Sequence, residues 1–166
     1  MSRARKVRKS QQTLVIIVGA VIIAIVIGVS FVLMTQATNS DNYVKTIQSI
    51  LDQSRIFTQN YEDSIARWKE GQISKEEMLR ITDRHLETLD GLITKLKNVE
   101  PPEKFRMAHD LSILSLNHEL QSDQHMRNYI ETGNNDEYEM SVELFQKAFD
   151  YEKQAFDEFR RAGKST

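Results

Sequence analysis

Two histidines and a glutamate are the side chains of this sequence best placed to do chemistry. His85 lies about 16 residues before the proline pair Pro101-Pro102, and His118 about 17 after its first member. If the flanking segments are helices folded back on each other, the two imidazoles stand at one height. Counted the same way, Glu152 falls near His118 across Gly133, and Tyr61 falls opposite His85 across Gly71. Helical bundles hold metal ions with carboxylates and imidazoles projecting from facing helices. His85, His118 and Glu152 are therefore the candidate metal ligands, with Tyr61 in the same layer. The Glu-x-x-His repeat of di-iron bundles is missing. A hydrogen-bonded polar layer that sets helix register uses the same residue types. The polar layer is the preferred reading, and no metal or other cofactor is expected. His118 and His125 are seven apart on one face. Histidine changes charge near neutral pH, so this pair is a candidate pH-sensitive spot.

Other chemistry is excluded by what is lacking. His118-Glu119 is not followed by the second histidine of a zinc-protease helix, there is no Gly-x-Ser-x-Gly, and the six glycines form neither a dinucleotide fingerprint nor a P-loop. Asn134-Asn135-Asp136 lacks calcium-loop spacing and reads as a helix cap. With no cysteine, disulfides, thiolate metal sites, a thiol nucleophile and an acylated cysteine all drop out. No catalytic or cofactor-binding residue is assigned, and a non-enzyme is expected.

The elements that position the layer are legible as four helices. In the first, about 41–70, Tyr43, Ile47, Ile50, Phe57, Tyr61, Ile65 and Trp68 recur at helical spacing. Gly71 ends it, and Ser74 with Glu77 forms a capping box for the second helix, about 75–98. That helix carries Leu79, Thr82, Leu86, Leu89, Ile93 and Leu96. Pro101 forces Glu100 out of helical geometry, and Pro102 fits the first turn of the third helix, about 103–131. Its stripe opens with Phe105, Ala108, Leu111 and Leu114, then turns polar through His118, Ser122 and His125. Gly133 suits the left-handed position after a helix, and Asn134 or Asn135 the next cap. The fourth helix, about 136–161, carries Tyr138, Val142, Phe145, Phe149, Glu152, Phe156 and Phe159 in a heptad pattern. Short connections between helices of similar length predict an all-α fold, an antiparallel up-down-up-down four-helix bundle.

Before the bundle stands a membrane signal. Arg3, Arg5, Lys6, Arg8 and Lys9 mark a basic segment, 1–13, followed by an uncharged apolar run from Leu14 to Met34. Twenty-one residues suffice to cross a bilayer as a helix, whereas the apolar centre of a cleaved signal peptide is shorter, about 7–15 residues. A retained single transmembrane helix over 14–35 is expected, although Thr35-Gln36-Ala37 would serve as a cleavage site. The basic flank places the N-terminus in the cytoplasm and residues 36–166 outside, and it suits anionic headgroups of the bilayer. Ala20, Ala24 and Gly28, spaced by four, give the span a small-residue face that permits a homodimer. Of 22 basic residues five lie in this segment, leaving 17 against 24 acidic ones in the remainder. Such an acidic domain is no partner for nucleic acid.

The stretch VEPPEKFRMAHDL, 99–111, with its proline turn and following Ala-His pair, resembles small prokaryotic membrane-anchored or lipid-anchored helical-bundle domains. The resemblance covers about 85–160 and implies the fold. The layout is also similar to the four-helix ligand-binding domains of bacterial chemoreceptors, without their second span and signalling module. The expected function is a membrane-anchored extracytoplasmic interaction module with no catalysis, acting on an envelope protein partner. The alternative is a ligand or metal sensor acting through a partner.

Overall fold

The computed structural model describes residues 41–164, and these form four helices: α1 Asp41–Lys69, α2 Lys75–Lys97, α3 Arg106–Thr132 and α4 Asn135–Lys164. A short 3-10 turn, Glu103–Phe105, precedes α3. There is no strand among the described residues, and none of their helices is long and apolar enough to cross a membrane. The expected span Leu14–Met34, its packing face Ala20, Ala24 and Gly28, and the basic segment Arg3–Lys9 lie outside the described residues.

The breaks form where the turn chemistry requires them. Gly71 and Gly133 have φ of 75° and 74°, a region that L-residues enter at a cost of about 1–2 kcal/mol. At α1's end the amide of Gln72 donates back to the Arg67 carbonyl at 2.9 Å, and at α3's end Gly133 donates to Tyr129 at 2.8 Å. Asn134 accepts from the Asp136 amide at 3.1 Å and caps α4. The capping box is only half made. Ser74 accepts from the Glu77 amide at 3.2 Å, but the Glu77 carboxylate turns to Arg80. Pro102 sits one residue earlier than expected, in extended geometry, and its carbonyl accepts from Phe105 to start the 3-10 turn.

Two apolar clusters hold the helices together. One, toward the proline turn, contains Tyr43, Ile47, Ile50, Leu89, Ile93, Leu96, Phe105, Leu116 and Phe159. The other, toward the glycine turns, contains Tyr61, Met78, Met126 and Ile130. Each fully buried Leu or Ile contributes about 1.5–3 kcal/mol. Between the clusters runs the polar layer.

The α3–α4 contact departs from the expected phenylalanine stripe. On α4 the fully buried positions include Ser141, Ala148, Ala155 and Ala162, seven apart, while Val142 is exposed. On α3 they include Ala108, Ser112, Ser115 and Ser122, while Leu114 is exposed. Ser115 Oγ donates to the Ala148 carbonyl at 2.9 Å, and Ser122 Oγ to the Ser141 carbonyl at 2.8 Å. A side chain this short reaches a neighbouring main chain only if the helices approach closely, which small residues permit. Phe159 keeps its expected place in the core, but the other phenylalanines of α4 are displaced to the next face. Phe145, Phe149 and Phe156 are half-buried and look across a cavity toward α1.

Candidate functional site: a buried polar layer between two apolar clusters

The layer is built from three helices. His85 comes from α2, Glu119 and Asp123 from α3, and Thr58, Tyr61 and Glu62 from α1. His85, Glu119 and Asp123 are 6%, 9% and 7% exposed. One ligand-type atom from each lies within 4.8 Å of the other two. The antiparallel packing of α2 on α3 brings His85 Nε2 to 3.0 Å from Asp123 Oδ2. Glu119 and Asp123 share a face because residues four apart on a helix are neighbours. From α1, Thr58 donates its hydroxyl proton to Glu119 Oε1. The Tyr61 ring stacks flat on the His85 imidazole, with centroids 4.2 Å apart and planes 10° apart. Its hydroxyl is buried with no hydrogen-bond partner. Thr82 is beside it and influences its ionisation as a hydrogen-bonding neighbour, although the Thr82 proton goes to the Met78 carbonyl at 2.9 Å.

Glu119 also faces a second space. A cavity of about 80 Å³ lies between α1, α3 and α4. Glu119 and Thr58 line it together with Glu152, Arg55, Ser112, Ser115 and the α4 phenylalanines. Room for two or three waters, at about 30 Å³ each, is well below the few hundred Å³ of a drug-sized pocket.

The electrostatics follow from burial. Loss of solvent pushes the Glu119 carboxyl up to about 8, helped by the charge of Asp123 and opposed by the Thr58 hydrogen bond. Burial raises Glu152 to about 7 and, with the charges of Asp123 and Asp63, raises Glu62 to about 7. Asp123 is raised by burial, against the hydrogen bond and charge of His85. The Tyr61 hydroxyl is held protonated by burial and by Asp123. The layer is thus rich in carboxyl groups that give up their protons reluctantly.

Of the candidates, His85 sits at the centre of the cluster. His118 does not belong to it. Its Nδ1 donates to the Leu114 carbonyl of its own helix at 2.9 Å, and its ring packs on Tyr151 at 5.0 Å. One residue along a helix turns a side chain by about 100°, so Glu119, not His118, points inward. Glu152 reaches the cavity and the field of Glu119 but not the three-residue cluster. His125 is separate too, bound to Glu137 at 2.7 Å near the Gly133 turn. Glu119, Asp123, Thr58 and Glu62 escaped the sequence reading. The available signal was the Glu119–Asp123 pair, two carboxylates four apart inside a stretch that also buries Leu116 and Met126.

Another polar contact lies toward the proline turn. The Tyr43 hydroxyl is 3.2 Å from His109 Nδ1, and both residues are buried. Burial lowers the basicity of His109 and keeps the Tyr43 phenol protonated, so the contact is one between two neutral groups.

Comparison with known proteins finds no matching family model, no matching curated protein and no matching solved structure.

Proposed function

We propose that this chain is a single-pass membrane protein whose extracytoplasmic four-helix bundle acts by binding rather than catalysis. Its polar layer receives a small, positively charged ligand, and occupancy is read out by a partner protein in the envelope. The observation that carries the reading is the cluster of His85, Glu119 and Asp123 at 6–9% exposure. Burying carboxylates without enough compensating charge is costly. Such a layer is one that a cation would stabilise.

Two further features support binding. The cavity beside Glu119 has room for an ion and its waters and is well below the size that holds a drug-sized substrate. The serines that could act as nucleophiles there, Ser112 and Ser115, spend their protons on the Ala108 and Ala148 carbonyls. The apolar run Leu14–Met34 and its basic flank support the anchor and its direction.

The test is thermal unfolding of the full-length chain in detergent against a panel of small cations: divalent metal chlorides, linear polyamines and cationic amino acids. A ligand at 100 times its Kd stabilises by about 2.7 kcal/mol, a shift of several degrees in Tm. At least one cation is expected to shift the wild-type chain and not its Glu119→Gln variant. A flat response to the whole panel refutes the reading.

A further inference from the structure

We propose that His85, Glu119 and Asp123 form a binding site for one divalent first-row transition-metal ion, with the Tyr61 hydroxyl beside it. The inference rests on the binding reading above and narrows its ligand. The first support is geometric. Donors on a four-coordinate ion with bonds of about 2.0–2.2 Å stand roughly 3.3–3.5 Å apart. His85 Nε2 and Asp123 Oδ2 are already at 3.0 Å, and the Glu119 donor is within 4.8 Å of both. Small side-chain rotations close the set, because all three residues sit on two rigid, adjacent helices.

The second support is independent of the acids. The Tyr61 hydroxyl is buried, with the whole residue 3% exposed, yet it makes no well-formed hydrogen bond, with Thr82 alongside as a weak neighbour. A buried polar group left unmade is an exception that needs a reason. Its ring lies flat on the ligand imidazole, and the charge of Asp123 acts on it directly. A bound ion, or a water carried on that ion, supplies the missing partner.

The third support is charge. Glu119, Asp123 and Glu62 come together with one imidazole, and among the described residues Arg55 is the one Lys or Arg on the wall of the adjoining cavity. A doubly charged ion matches two ligand carboxylates. The donor types select its class. Imidazole nitrogen suits zinc, iron, nickel and copper, and carboxylate oxygen suits manganese and the harder ions. The absence of cysteine removes the soft ions. Calcium requires six to eight oxygens, more than the cluster offers. The ions that fit are the divalent first-row ions from manganese to zinc, with remaining positions filled by water from the cavity beside Glu119.

The experiment titrates chelator-stripped full-length chain, in detergent, with cobalt(II) chloride and then with zinc chloride. One equivalent of cobalt is expected to bind and to develop the visible absorption of a nitrogen–oxygen site. Zinc is expected to displace it and to raise Tm. Asp123→Asn and Glu119→Gln keep shape and size and are expected to weaken binding at least tenfold. Tyr61→Phe removes only the hydroxyl and is expected to weaken it several-fold. Asp83→Asn, on the surface beside Arg127, is expected to leave it unchanged. No stoichiometric binding overturns the metal site, and so does binding that survives Asp123→Asn and Glu119→Gln together. If metals fail while a polyamine or cationic amino acid shifts Tm through Glu119, the metal inference falls and the binding reading stands. If nothing in the panel binds, both fall.

Discussion

Replacing Glu152 by Gln raises the stability of the metal-free bundle in alkaline solution and leaves it nearly unchanged in acid. Glu152 is half-buried against a cavity whose other α4 walls are Phe145, Phe149 and Phe156. Its carboxyl ionises near the ordinary 4.5 in the unfolded chain and at about 7 in the fold, because burial disfavours the charge. A folded-state pKa above the unfolded one means stability that is fully present below 4.5 and lost as pH rises through 7. At about 1.4 kcal/mol per pH unit, the full difference is about 3 kcal/mol, and residual contact with solvent trims it to about 2. Gln has the shape of the protonated acid and never ionises. The assay is urea unfolding of the chelator-treated full-length chain at pH 5 and pH 8.5. With a slope of about 1–2 kcal/mol per molar, the variant's midpoint is expected about 1–2 M above wild type at pH 8.5 and no more than about 0.5 M above it at pH 5. Relief of the repulsion on Glu119 acts in the same direction. Equal midpoints at both pH values would refute the claim that this carboxyl is desolvated. So would a variant destabilised at both, which would make the carboxylate a structural partner.

Other substitutions test other parts of the fold. Ala148→Leu forces three carbons into the α3–α4 seam and disturbs the Ser115 hydrogen bond. It is expected to cost about 2–4 kcal/mol in urea unfolding, while Ala66→Leu on the exposed side of α1 changes stability by under about 0.5 kcal/mol. Gly91→Ala and Gly133→Ala have opposite signs. A Cβ at either meets nothing within 4 Å, so Gly91 in α2 gains about 0.5–1 kcal/mol of helix propensity, and Gly133, at φ 74°, loses about 1–2 kcal/mol to backbone strain. His109, whose basicity is lowered by burial, must stay neutral in the fold. Stability attached to it is complete above pH 6.5 and lost as pH falls below that value toward the lower folded pKa. His109→Gln is expected to flatten that acid-side loss in unfolding curves taken from pH 7 to pH 5. A single cysteine at exposed Asn134, in a chain with none of its own, is expected to react with a membrane-impermeant thiol reagent on intact cells. Reaction only after lysis would place the bundle inside.

Helix existence and turn position were readable because few residues control them. Gly71, Gly133 and the proline pair interrupt otherwise continuous apolar periodicity, and the four helices begin and end within about three residues of the expected limits. Counting from those turns brought His85 to the middle layer and set Tyr61 against it, where the ring stacks. The remainder failed for a physical reason. Hydrophobic size marks a core position in a sequence, but close helix approach selects small side chains. The Ser141, Ala148, Ala155 and Ala162 heptad therefore forms the α4 seam, and the larger Phe stripe lies beside it. The same bias chose His118 over its neighbour. An imidazole is the more familiar ligand, yet the seam geometry turns Glu119 inward and leaves His118 on Tyr151. Which of two adjacent polar residues faces a core depends on helix rotation to within half of one 100° step, finer than a periodicity estimate resolves.

The α3–α4 seam also sets the order in which the molecule assembles and comes apart. The two helices are joined through Gly133-Asn134 alone, so their contacts need little chain closure. Main-chain carbonyls of α4 are bonded directly by α3 serines. Local pairing of this kind forms early, since its entropic cost is low. The seam is accordingly expected to serve as the folding nucleus, with amides that exchange last with solvent. α1 faces it partly across a cavity and is expected to dock last and detach first. Mutations in the Ala heptad are expected to slow folding, and mutations on α1 chiefly to speed unfolding, in stopped-flow denaturant jumps.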